Sequence, residues 1–540
     1  MFAPILVPSR DPSYNGSRKV NTAETLALEP TKPNARKRRR YGLGICLSAA
    51  LTATLAMPLG AQAKSIPDGR GMDTAVDFYG RVAVPKPVAL PIVPQNPFMA
   101  NNGESNIHND SYMTDSYRWA GPLGNHTKVS SVVAKGECAS ITFDSKGRIV
   151  AVCLLKHAYL TLMDPKTLAI TTQLMLPENT QVSGFAASPN AFAADYTELA
   201  GGYFYLNNRD QAVVSTATRH IITYAVKGVG SKAKFVKIKD FNLQDDVAST
   251  DIIQSALPDF EGNVWFITKD GVVGVLNPST GVIKTKTLTG ESITNSFAMG
   301  QDGGVYIVST KSMYRFDIAT DGSPSVTWSR VYPNSGSTIK PGQKSIGSGT
   351  TPTIMSRGRV AIVDNANPEH IVVYHTKKAA IGRSQEICRE RVFTRNASAT
   401  ENSLIAVGDA LIVENNYGNL GPQTTTLGRT TKPGMARVDV SSDGKCTTKW
   451  VNSTVSAPSI VPKFSAATGL VYTYSKPKGP GTIDRWYWTA LDFRTGKLVY
   501  SKLAGTGALF NNNYASLYVG ANGDGYVGVT AGLVRLHDGI

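Results

Sequence analysis

Apolar and polar residues alternate in short runs along most of this chain, and each run ends at a cluster of Gly, Asn, Asp or Pro. One unit recurs at a period of about fifty residues, which is the spacing expected of propeller blades. It consists of an apolar strand, a tight turn, a second apolar strand, a loop, and a third strand that ends in Asp or Asn. Helical periodicity is nearly absent. The pattern therefore predicts an all-β fold built from short strands.

The repeating unit occurs eight times, with starting residues Ile141, Gly201, Ala256, Phe297, Thr353, Leu404, Phe464 and Ser516. A regular repeat of short strands is typical of a β-propeller, because one blade cannot bury both of its faces alone. We therefore predict an eight-bladed β-propeller of four-stranded antiparallel blades. The last unit stops after its third strand, and residues 127–133 are predicted to supply the missing outer strand and close the ring.

The beginning of the chain has the pattern of an export signal. Four basic residues, Lys37–Arg40, precede an uncharged run that ends in Ala61-Gln62-Ala63, a small-x-small cleavage site. An uncleaved membrane anchor is the alternative, although Pro58 and Gly60 favour cleavage. We expect a signal peptide at 1–63, a Pro- and Asn-rich extension at 64–126, and the propeller at 127–540. The mature protein is then periplasmic or extracellular and keeps no stable membrane span.

Removal of the leader changes the charge and the cysteine count. The formal charge falls from +16 to +10, because the leader carries nine Lys/Arg and three Asp/Glu. The remaining basic residues are scattered, so nucleic acid is not an expected partner. An even number of cysteines in an exported chain predicts two disulfides. Three pairings are open, and a hairpin signal favours Cys138 with Cys153, which leaves Cys388 with Cys446. No Cys-x-x-Cys-His motif supports haem attachment.

A second signal lies in the turns of the repeat. The stretch Ala490–Lys497 (ALDFRTGK) resembles the blade motif of pyrroloquinoline-quinone-type, or quinoprotein-like, propellers, in which a Trp after the turn docks against the next blade. Two other units repeat the pattern with Trp328 and Trp450. The resemblance covers roughly residues 130–540 and implies the eight-bladed scaffold. The quinone itself is not expected, because this chain lacks the adjacent cysteine pair found beside the cofactor in the related alcohol dehydrogenases.

Polar side chains concentrate where two kinds of loop meet at one face of a propeller. These are the loop after the second strand of a blade and the connection that leads into the next inner strand. In two units, a carboxylate followed by Asn ends the second strand. Such oxygen ligands suit Ca²⁺, although Asn and Asp also cap turns. The predicted metal ligands are Asp364, Asn365, Glu414 and Asn415.

The connections into inner strands supply further candidates for binding a ligand. The predicted ligand-binding residues are Asn295, Asn402, Asn512 and Asn513, joined by His108 and Asp110 of the extension, which could cover the channel mouth. Asp259 and Glu401 are weaker candidates of the same kind. Two long loops, residues 417–434 and 475–484, lengthen this face and are expected either to rim a binding site or to be tolerated insertions.

Three functions fit this sequence. The one we favour is non-redox binding of a small-molecule or polymer ligand at one channel mouth, or scaffolding of a protein partner. A calcium-assisted hydrolase or lyase is the alternative, and a quinone-dependent oxidoreductase is the third. No Gly-x-Ser-x-Gly elbow or P-loop is present to support serine-hydrolase or nucleotide chemistry.

Overall fold

In the described part of the chain, eight sheets make up the fold, and in each blade the strands are antiparallel and follow one another in sequence order from the channel to the rim, except for the outer strand of blade 8 and the two strands that the extension adds to blade 7. The computed structural model describes residues 64–178 and 201–539. Seven sheets have four strands, and the sheet of blade 7 has six because the extension adds one strand at each edge. The predicted all-β, eight-bladed propeller of four-stranded antiparallel blades is confirmed.

The blades are numbered along the chain, and the strands of each are given from the inner to the outer. The first four blades comprise Glu137–Phe143, Ile149–Leu154, Ala158–Met163 and Ile170–Met175; Tyr205–Leu206, Ala212–Ser215, His220–Lys227 and Lys234–Asn242; Ile253–Pro258, Val264–Thr268, Val272–Leu276 and Ile283–Thr287; and Ala298–Met299, Val305–Val308, Ser312–Ile318 and Pro324–Val331.

The other four blades comprise Thr353–Met355, Arg359–Val363, His370–His375 and Glu386–Arg391; Ile405–Val407, Ala410–Glu414, Met435–Val440 and Cys446–Asn452; Lys463–Ser465, Leu470–Ser475, Arg485–Asp492 and Leu498–Thr506; and Leu517–Val519, Gly525–Val529, Gly532–His537 and Lys128–Val133. Short 3-10 turns lie at Gly230–Lys232, Pro422–Thr425 and Ala508–Phe510.

The apolar patterning of each strand follows from its place in the blade. Every residue of the second strand Ile149–Leu154 is buried, because neighbouring blades cover both of its faces. The outer strand Ile283–Thr287 is exposed at four of its five positions, since it lies at the rim. Continuous apolar runs therefore mark the middle of a blade, and polar runs mark its edge.

The ring closes where the sequence predicted. Lys128–Val133 pairs antiparallel with Gly532–His537, in register from Lys128 opposite His537 to Val133 opposite Gly532. This strand is the outer strand of blade 8, whereas the inner three strands come from the other end of the chain. The closing segment thus joins parts of the chain that lie about four hundred residues apart, which fixes the ends of the ring to each other.

Both predicted disulfides are present. Cys138 and Cys153 face each other on the inner and second strands of blade 1. Cys388 and Cys446 join the outer strands of blades 5 and 6. The second bond therefore connects two neighbouring blades at the rim, where the outer strands have few apolar side chains to hold them together.

The Trp residues of the turn motif dock as the resemblance implied. The indole Nε1 of Trp450, on blade 6, donates to the carbonyl oxygen of Phe493 on blade 7 at 2.9 Å. Gly496 follows in the same turn with φ of 67°, and a Cβ atom there would come within 2.4 Å of the Trp450 ring. Glycine is thus required both by the backbone angle and by the indole. Trp328 makes the equivalent bond from blade 4 to blade 5.

The extension is built into the propeller rather than attached to it. Its strand Phe78–Gly80 pairs with the outer strand of blade 7. The chain then crosses beneath the first turns of the blades, where Asn96 Nδ2 donates to the carbonyl of Pro258 in blade 3. From there it enters the channel. Residues 105–117, which we call the plug, fill the channel and include the short strand Ser116–Tyr117.

Backbone hydrogen bonds fasten the plug to the inner strands of five blades. Carbonyl oxygens along the plug accept bonds from Leu206, Met299, Ile354, Ala406 and Phe464, which belong to blades 2, 4, 5, 6 and 7. A segment without periodic strand signal is therefore held in one conformation by the edges of the sheets that surround it. The expectation that this segment covers the mouth is corrected, because it lies inside the channel.

The predicted signal peptide at 1–63 lies outside the described residues. Within the described ranges, no helix has the length and apolar character needed to cross a membrane.

Candidate functional site

A cavity of about 120 Å³ opens at the end of the channel where the chain enters the inner strands. All eight blades contribute to its wall, and the plug supplies its floor through Ile107 and His108. The wall residues are Ala139, Leu154, Gly201, Gly202, Tyr203, Ile253, Gln254, Thr294, Asn295, Lys344, Thr351, Glu401, Asn402, Ser403, Val461, Asn513 and Tyr514. Most of them lie just before or at the start of an inner strand. Equivalent positions of successive blades therefore line the cavity.

Four of the residues predicted to bind a ligand line this cavity. Asn295, Asn402 and Asn513 come from the lead-in segments of blades 4, 6 and 8, and His108 comes from the plug. The Asn513 side-chain nitrogen is buried and has no hydrogen-bond partner in the described part of the chain. Asn402 instead donates to the Glu414 carboxyl group at 2.6 Å and to the carbonyl of Ile460 at 2.8 Å.

His108 is held at the floor by a carboxylate from its own segment. Its Nδ1 lies 3.2 and 3.1 Å from the two oxygens of Asp115, and both side chains are buried. The same carboxylate contacts the ammonium of Lys463, which also bonds the side-chain oxygen of Asn109 at 2.9 Å. Burial lowers the pKa of Lys463, and Asp115 acts in the opposite direction. The ammonium thus compensates the charge that the plug brings into the channel.

The other ring nitrogen of His108 faces the cavity wall. Its Nε2 lies 3.3 Å from the hydroxyl of Ser403, a residue that also lines the cavity. Ser403 leads into the inner strand of blade 6, within the sequence Glu-Asn-Ser. The structure therefore aligns a hydroxyl, an imidazole and a carboxylate in series, from the cavity wall into the core of the plug.

Blade 4 offers a direct comparison for Ser403. Its lead-in sequence, Asn295-Ser296, repeats Asn402-Ser403 at the same position in the blade. The Ser296 hydroxyl lies 2.8 Å from the hydroxyl of Ser255. The fold thus places a buried serine at this point in two blades, but the described contacts pair only Ser403 with an imidazole.

Strained backbone marks the same region. Asn109, Met113 and Asp115 of the plug have φ of 78°, 57° and 54°, and Tyr514 of the wall has φ of 63°. Bulky side chains rarely adopt the left-handed region, and such strain is usually found at functional sites. Asp115 reaches both His108 and Lys463 from this conformation. The free-energy cost is of the order of 1 kcal/mol or more at each residue.

The charged groups of the wall form one cluster. The backbone N–H of Lys344 donates to the Glu401 carboxyl at 3.0 Å, and the Lys344 ammonium lies 5.0 Å from the centre of the Tyr514 ring. Burial raises the pKa of Glu401 to about 8, against the lowering effect of Lys344. Glu401 is therefore mostly protonated at neutral pH, so most of the polar wall consists of uncharged hydrogen-bonding groups.

Both predicted metal ligands of blade 5 are engaged in hydrogen bonds, Asp364 within its own turn and Asn365 with the connection that precedes the blade. Asp364 Oδ1 accepts the backbone N–H groups of Ala366 and His370 at 3.1 and 2.8 Å, and its Oδ2 lies 2.8 Å from His370 Nδ1. Asn365 donates to the carbonyl of Ile346 at 2.6 Å. Neither is among the described residues that line the cavity. The contacts of Asp364 fit a turn cap, the structural alternative considered for this pair, and those of Asn365 join two neighbouring segments.

The corresponding pair of blade 6 is buried behind the cavity wall. Glu414 accepts from Asn402 and from Asn416 at 2.6 and 2.9 Å. Burial raises its pKa to about 8. Asn415 accepts the backbone N–H groups of Ala399 and Tyr417. Glu414 thus positions Asn402, which does line the cavity, and Asn415 closes a turn.

Two other candidates have structural contacts in the same way. Asp110 accepts the backbone N–H groups of Tyr112 and Thr114 inside the plug, and burial raises its pKa to about 6. Asn512 donates to the carbonyls of Ala515 and Gly528. Neither side chain is among the described lining residues of the cavity.

The placement of Asp259 requires a correction. We expected it near the start of the third unit, but the inner strand there is Ile253–Pro258 and Asp259 follows it. Its carboxylate accepts the backbone N–H groups of Glu261 and Asn263 in the turn at the opposite face. Gln254 is the blade 3 residue that lines the cavity. The shift arises because the apolar strand begins three residues earlier than the repeat suggested.

The two long loops pack against each other. Asp484 accepts the backbone N–H groups of Leu427 and Gly428 and forms a buried ion pair with Lys476 at 2.9 Å. None of the described residues lining the cavity belongs to either loop. The expectation that they rim the binding site is thus not supported for this cavity.

A calcium site stays a prediction. Within the described ranges, no group of three or more His, Cys, Asp or Glu side chains has the arrangement of a metal site. The oxygens of Asp364 are engaged in turn contacts, and Glu414 accepts hydrogen bonds from Asn402 and Asn416. Both features fit Ca²⁺ coordination poorly, since this ion prefers several ionised or carbonyl oxygens around one point.

Sequence reasoning missed Ser403, Asp115, Lys463 and Tyr514. The repeated Asn-Ser pair of blades 4 and 6 was a usable signal for Ser403, since the serine recurs together with the predicted asparagine. Asp115 and Lys463 carried no such signal. They lie 348 residues apart in the chain and meet only because the plug enters the channel.

Comparisons with known proteins give only distant similarities. No protein-family model matches the chain. It is similar to a protein of Archaeoglobus fulgidus described as uncharacterized, with 27% identity over 372 residues that cover 63% of this chain and 70% of the relative.

The similarity to solved structures is low. Chaetomium thermophilum Sqt1, bound to the N-terminus of the ribosomal protein L10, has a TM-score of 0.41 and 12% sequence identity. The match covers 83% of this chain and 100% of the Sqt1 chain. A streptogramin B lyase has a TM-score of 0.37 and 11% identity, covering 76% of this chain and 97% of that chain. These similarities concern the scaffold and carry no argument about activity.

Proposed function

We propose that this protein binds a small, uncharged polar molecule in the cavity at the end of its channel. The observation that carries the proposal is the composition of the wall: all eight blades contribute residues to it, and six of them supply amide or hydroxyl side chains. Concave sites with a few convergent polar groups are the usual form of ligand pockets. Propellers commonly use the end of the channel in this way, because many blades can each contribute one loop.

The wall groups favour a ligand that both donates and accepts hydrogen bonds. Amide side chains of Gln254, Asn295 and Asn513 offer both kinds of partner, and so do the hydroxyls of Tyr203 and Ser403. The unpartnered nitrogen of Asn513 supports the same interpretation, since a buried donor costs free energy until a ligand or water accepts from it.

The size of the cavity limits the ligand. A volume of about 120 Å³ accommodates on the order of ten water molecules at the volume one water needs. We therefore expect a ligand of roughly ten non-hydrogen atoms, such as a monosaccharide or a short amide or ester. A larger polymer can enter only with its terminal group.

The test is ligand-dependent thermal stability with a variant that fills the cavity. Gly202 lines the cavity, and a Cβ atom there would meet no heavy atom of residues 64–178 or 201–539 within 4 Å. Gly202→Phe therefore places a ring in the empty space without displacing the wall. The probes are glucose, N-acetylglucosamine, acetamide and methyl acetate. A bound probe raises the midpoint of unfolding of the wild type in a saturable way, and Gly202→Phe removes that rise.

The control is Val331→Phe, which adds a ring at a position that is 80% exposed. It should respond to the probes like the wild type. Identical responses of the wild type and Gly202→Phe to every probe that binds would contradict the proposal.

We also propose that the mature protein is exported and that it uses a quinoprotein-like blade. The two disulfides support an oxidising compartment. The docking of Trp450 and Trp328 on the next blade supports the family resemblance. The mass of the mature chain from its native host tests export, which predicts a start near Lys64 with two intact disulfides.

A further inference from the structure

We propose that Ser403 is a nucleophile for acyl transfer, with His108 as its general base and Asp115 as the residue that positions His108. The substrate class is a small uncharged ester. The inference rests on the proposed function, because Ser403 and His108 both line the ligand cavity. It goes beyond binding, since it assigns a covalent step to a named hydroxyl.

The geometry of the three groups has the connectivity that such chemistry requires. A carboxylate only accepts hydrogen bonds, so the contact of 3.1 Å between Asp115 and His108 places the ring proton on Nδ1. The free nitrogen, Nε2, then accepts from the Ser403 hydroxyl at 3.3 Å. Catalytic hydrogen bonds are often this long before substrate binds. A nucleophile, a base and an orienting carboxylate define such a site by geometry, whatever their order in the chain.

The difference between Ser403 and its counterpart Ser296 in blade 4 argues against a purely structural role for Ser403. Ser296 satisfies its hydroxyl with the neighbouring hydroxyl of Ser255, which needs no residue from outside the blades. At Ser403 the partner is an imidazole from the plug. Holding that imidazole requires Asp115 in a left-handed conformation and Lys463 buried beside it. This arrangement costs free energy that a simple serine pair would avoid.

Lining groups are also available for the carbonyl oxygen of a substrate. The nitrogen of Asn513 is a buried donor that no described group accepts from, and Asn513 lines the same cavity. A preorganised donor in a partly closed site stabilises the negative charge that develops on the carbonyl oxygen.

The proposed reaction proceeds in two balanced steps. The Ser403 oxygen bonds the ester carbonyl carbon, His108 Nε2 takes the hydroxyl proton, and the alcohol leaves with that proton as its C–O bond breaks. Water then attacks the acyl group, gives a proton to Nε2, and releases the acid as Ser403 regains its hydrogen. One ester and one water yield one acid and one alcohol, with no change of oxidation state.

The first experiment uses diisopropyl fluorophosphate, a probe of suitable size for the cavity. The serine oxygen bonds phosphorus, fluoride leaves, and the proton passes to His108. We expect one diisopropylphosphoryl group per chain, located on Ser403 by peptide mass analysis. Ser403→Ala removes the label, and the matched variant Ser296→Ala keeps it. His108→Gln slows labelling by at least about 100-fold, the usual minimum contribution of a general base.

The second experiment tests the role of Asp115 with p-nitrophenyl acetate. Asp115→Asn should lower kcat by at least about 100-fold and leave KM within about threefold, because positioning of the base matters in the transition state and not for binding. If Asp115 had only a structural role, Asp115→Asn would lower the amount of folded protein but would leave kcat per folded molecule unchanged.

Two results would overturn the proposal. One is folded wild type that stays unlabelled at Ser403 in excess probe, and the other is equal labelling rates in the wild type and His108→Gln. If cavity ligands still raise the unfolding midpoint in the first case, the binding function stands and only the nucleophile is rejected. The wild-type measurement decides the matter even if a variant fails to fold.

Discussion

The ammonium of Lys463 and the carboxylate of Asp115 form an ion pair in the centre of the propeller, and both side chains are fully buried. Lys463 begins the inner strand of blade 7, and Asp115 belongs to the plug. Their contact is thus the main electrostatic link between the ring of blades and the segment that fills the channel. It also fixes the carboxylate that positions His108.

Breaking this pair from the cationic side should destabilise the whole protein. Lys463→Met leaves Asp115 as a buried carboxylate without its compensating charge, and the loss is about 3–5 kcal/mol for such pairs. We expect the free energy of unfolding in urea to fall by that amount, with the slope unchanged.

The matched variant is Lys502→Met, which removes an ion pair to Asp77, a side chain that is 66% exposed. An exposed pair is worth at most about 1 kcal/mol. Similar losses in the two variants would show that Lys463 has no special role.

The carboxyl group of Glu414 should make stability depend on pH. Its pKa is raised from 4.5 to about 8 by burial, so the folded state holds a proton that the unfolded state loses. The stabilisation is complete below about pH 4.5 and is lost as the pH rises towards 8. Glu414→Gln keeps the contacts with Asn402 and Asn416 but cannot ionise.

The measurement is the free energy of unfolding of both proteins between about pH 5 and about pH 9, a range that includes the pH interval in which the stabilisation is lost. The wild type should lose up to about 1.4 kcal/mol per pH unit relative to Glu414→Gln. Glu261→Gln, at an exposed position, should follow the wild type. Parallel profiles for all three proteins would contradict the burial of a protonated Glu414.

The closing strand should stabilise every blade and not only its own. Replacing Lys128–Val133 by a Gly/Ser linker of equal length removes the partner of Gly532–His537 and leaves that strand as an open edge. We expect loss of cooperative thermal unfolding and association through the exposed edge. Calorimetry and light scattering measure the two effects.

Phe78–Gly80 provides the control, because it adds a strand at the rim of blade 7 without closing the ring. A linker there should lower the unfolding midpoint modestly and keep one cooperative transition. Equal behaviour of the two variants would mean that ring closure contributes little.

The blades themselves could be predicted from the sequence because their determinants are local. Strand, turn and strand recur with a fixed order, and each apolar run must be covered by a neighbour. The closing strand and the Cys138–Cys153 bond follow from the same repeat, since each is defined by its position within a blade. The Cys388–Cys446 bond was predicted only as the remaining pair, and the docked Trp residues were implied by the resemblance.

The cavity was predictable in part for the same reason. Asn295, Asn402 and Asn513 precede inner strands, so the repeat itself places them around one opening. Asp364 and Glu414 also occupy equivalent positions, but their hydrogen bonds go to turn amides and to neighbouring Asn side chains. Whether a carboxylate faces a cavity or caps a turn depends on side-chain contacts that no periodic pattern records.

The sequence by itself thus determined the number and order of the blades and the closure of the ring, and it favoured one of three open cysteine pairings, which the structure confirms. Only the tertiary structure decided that the extension fills the channel and that His108 meets Ser403, which lies 295 residues further along the chain. The plug has no repeat of its own, and its conformation is set by the unpaired edges of the inner strands around it. Contacts of this kind arise when distant segments share one enclosed space, so they follow from the closed ring and not from local sequence.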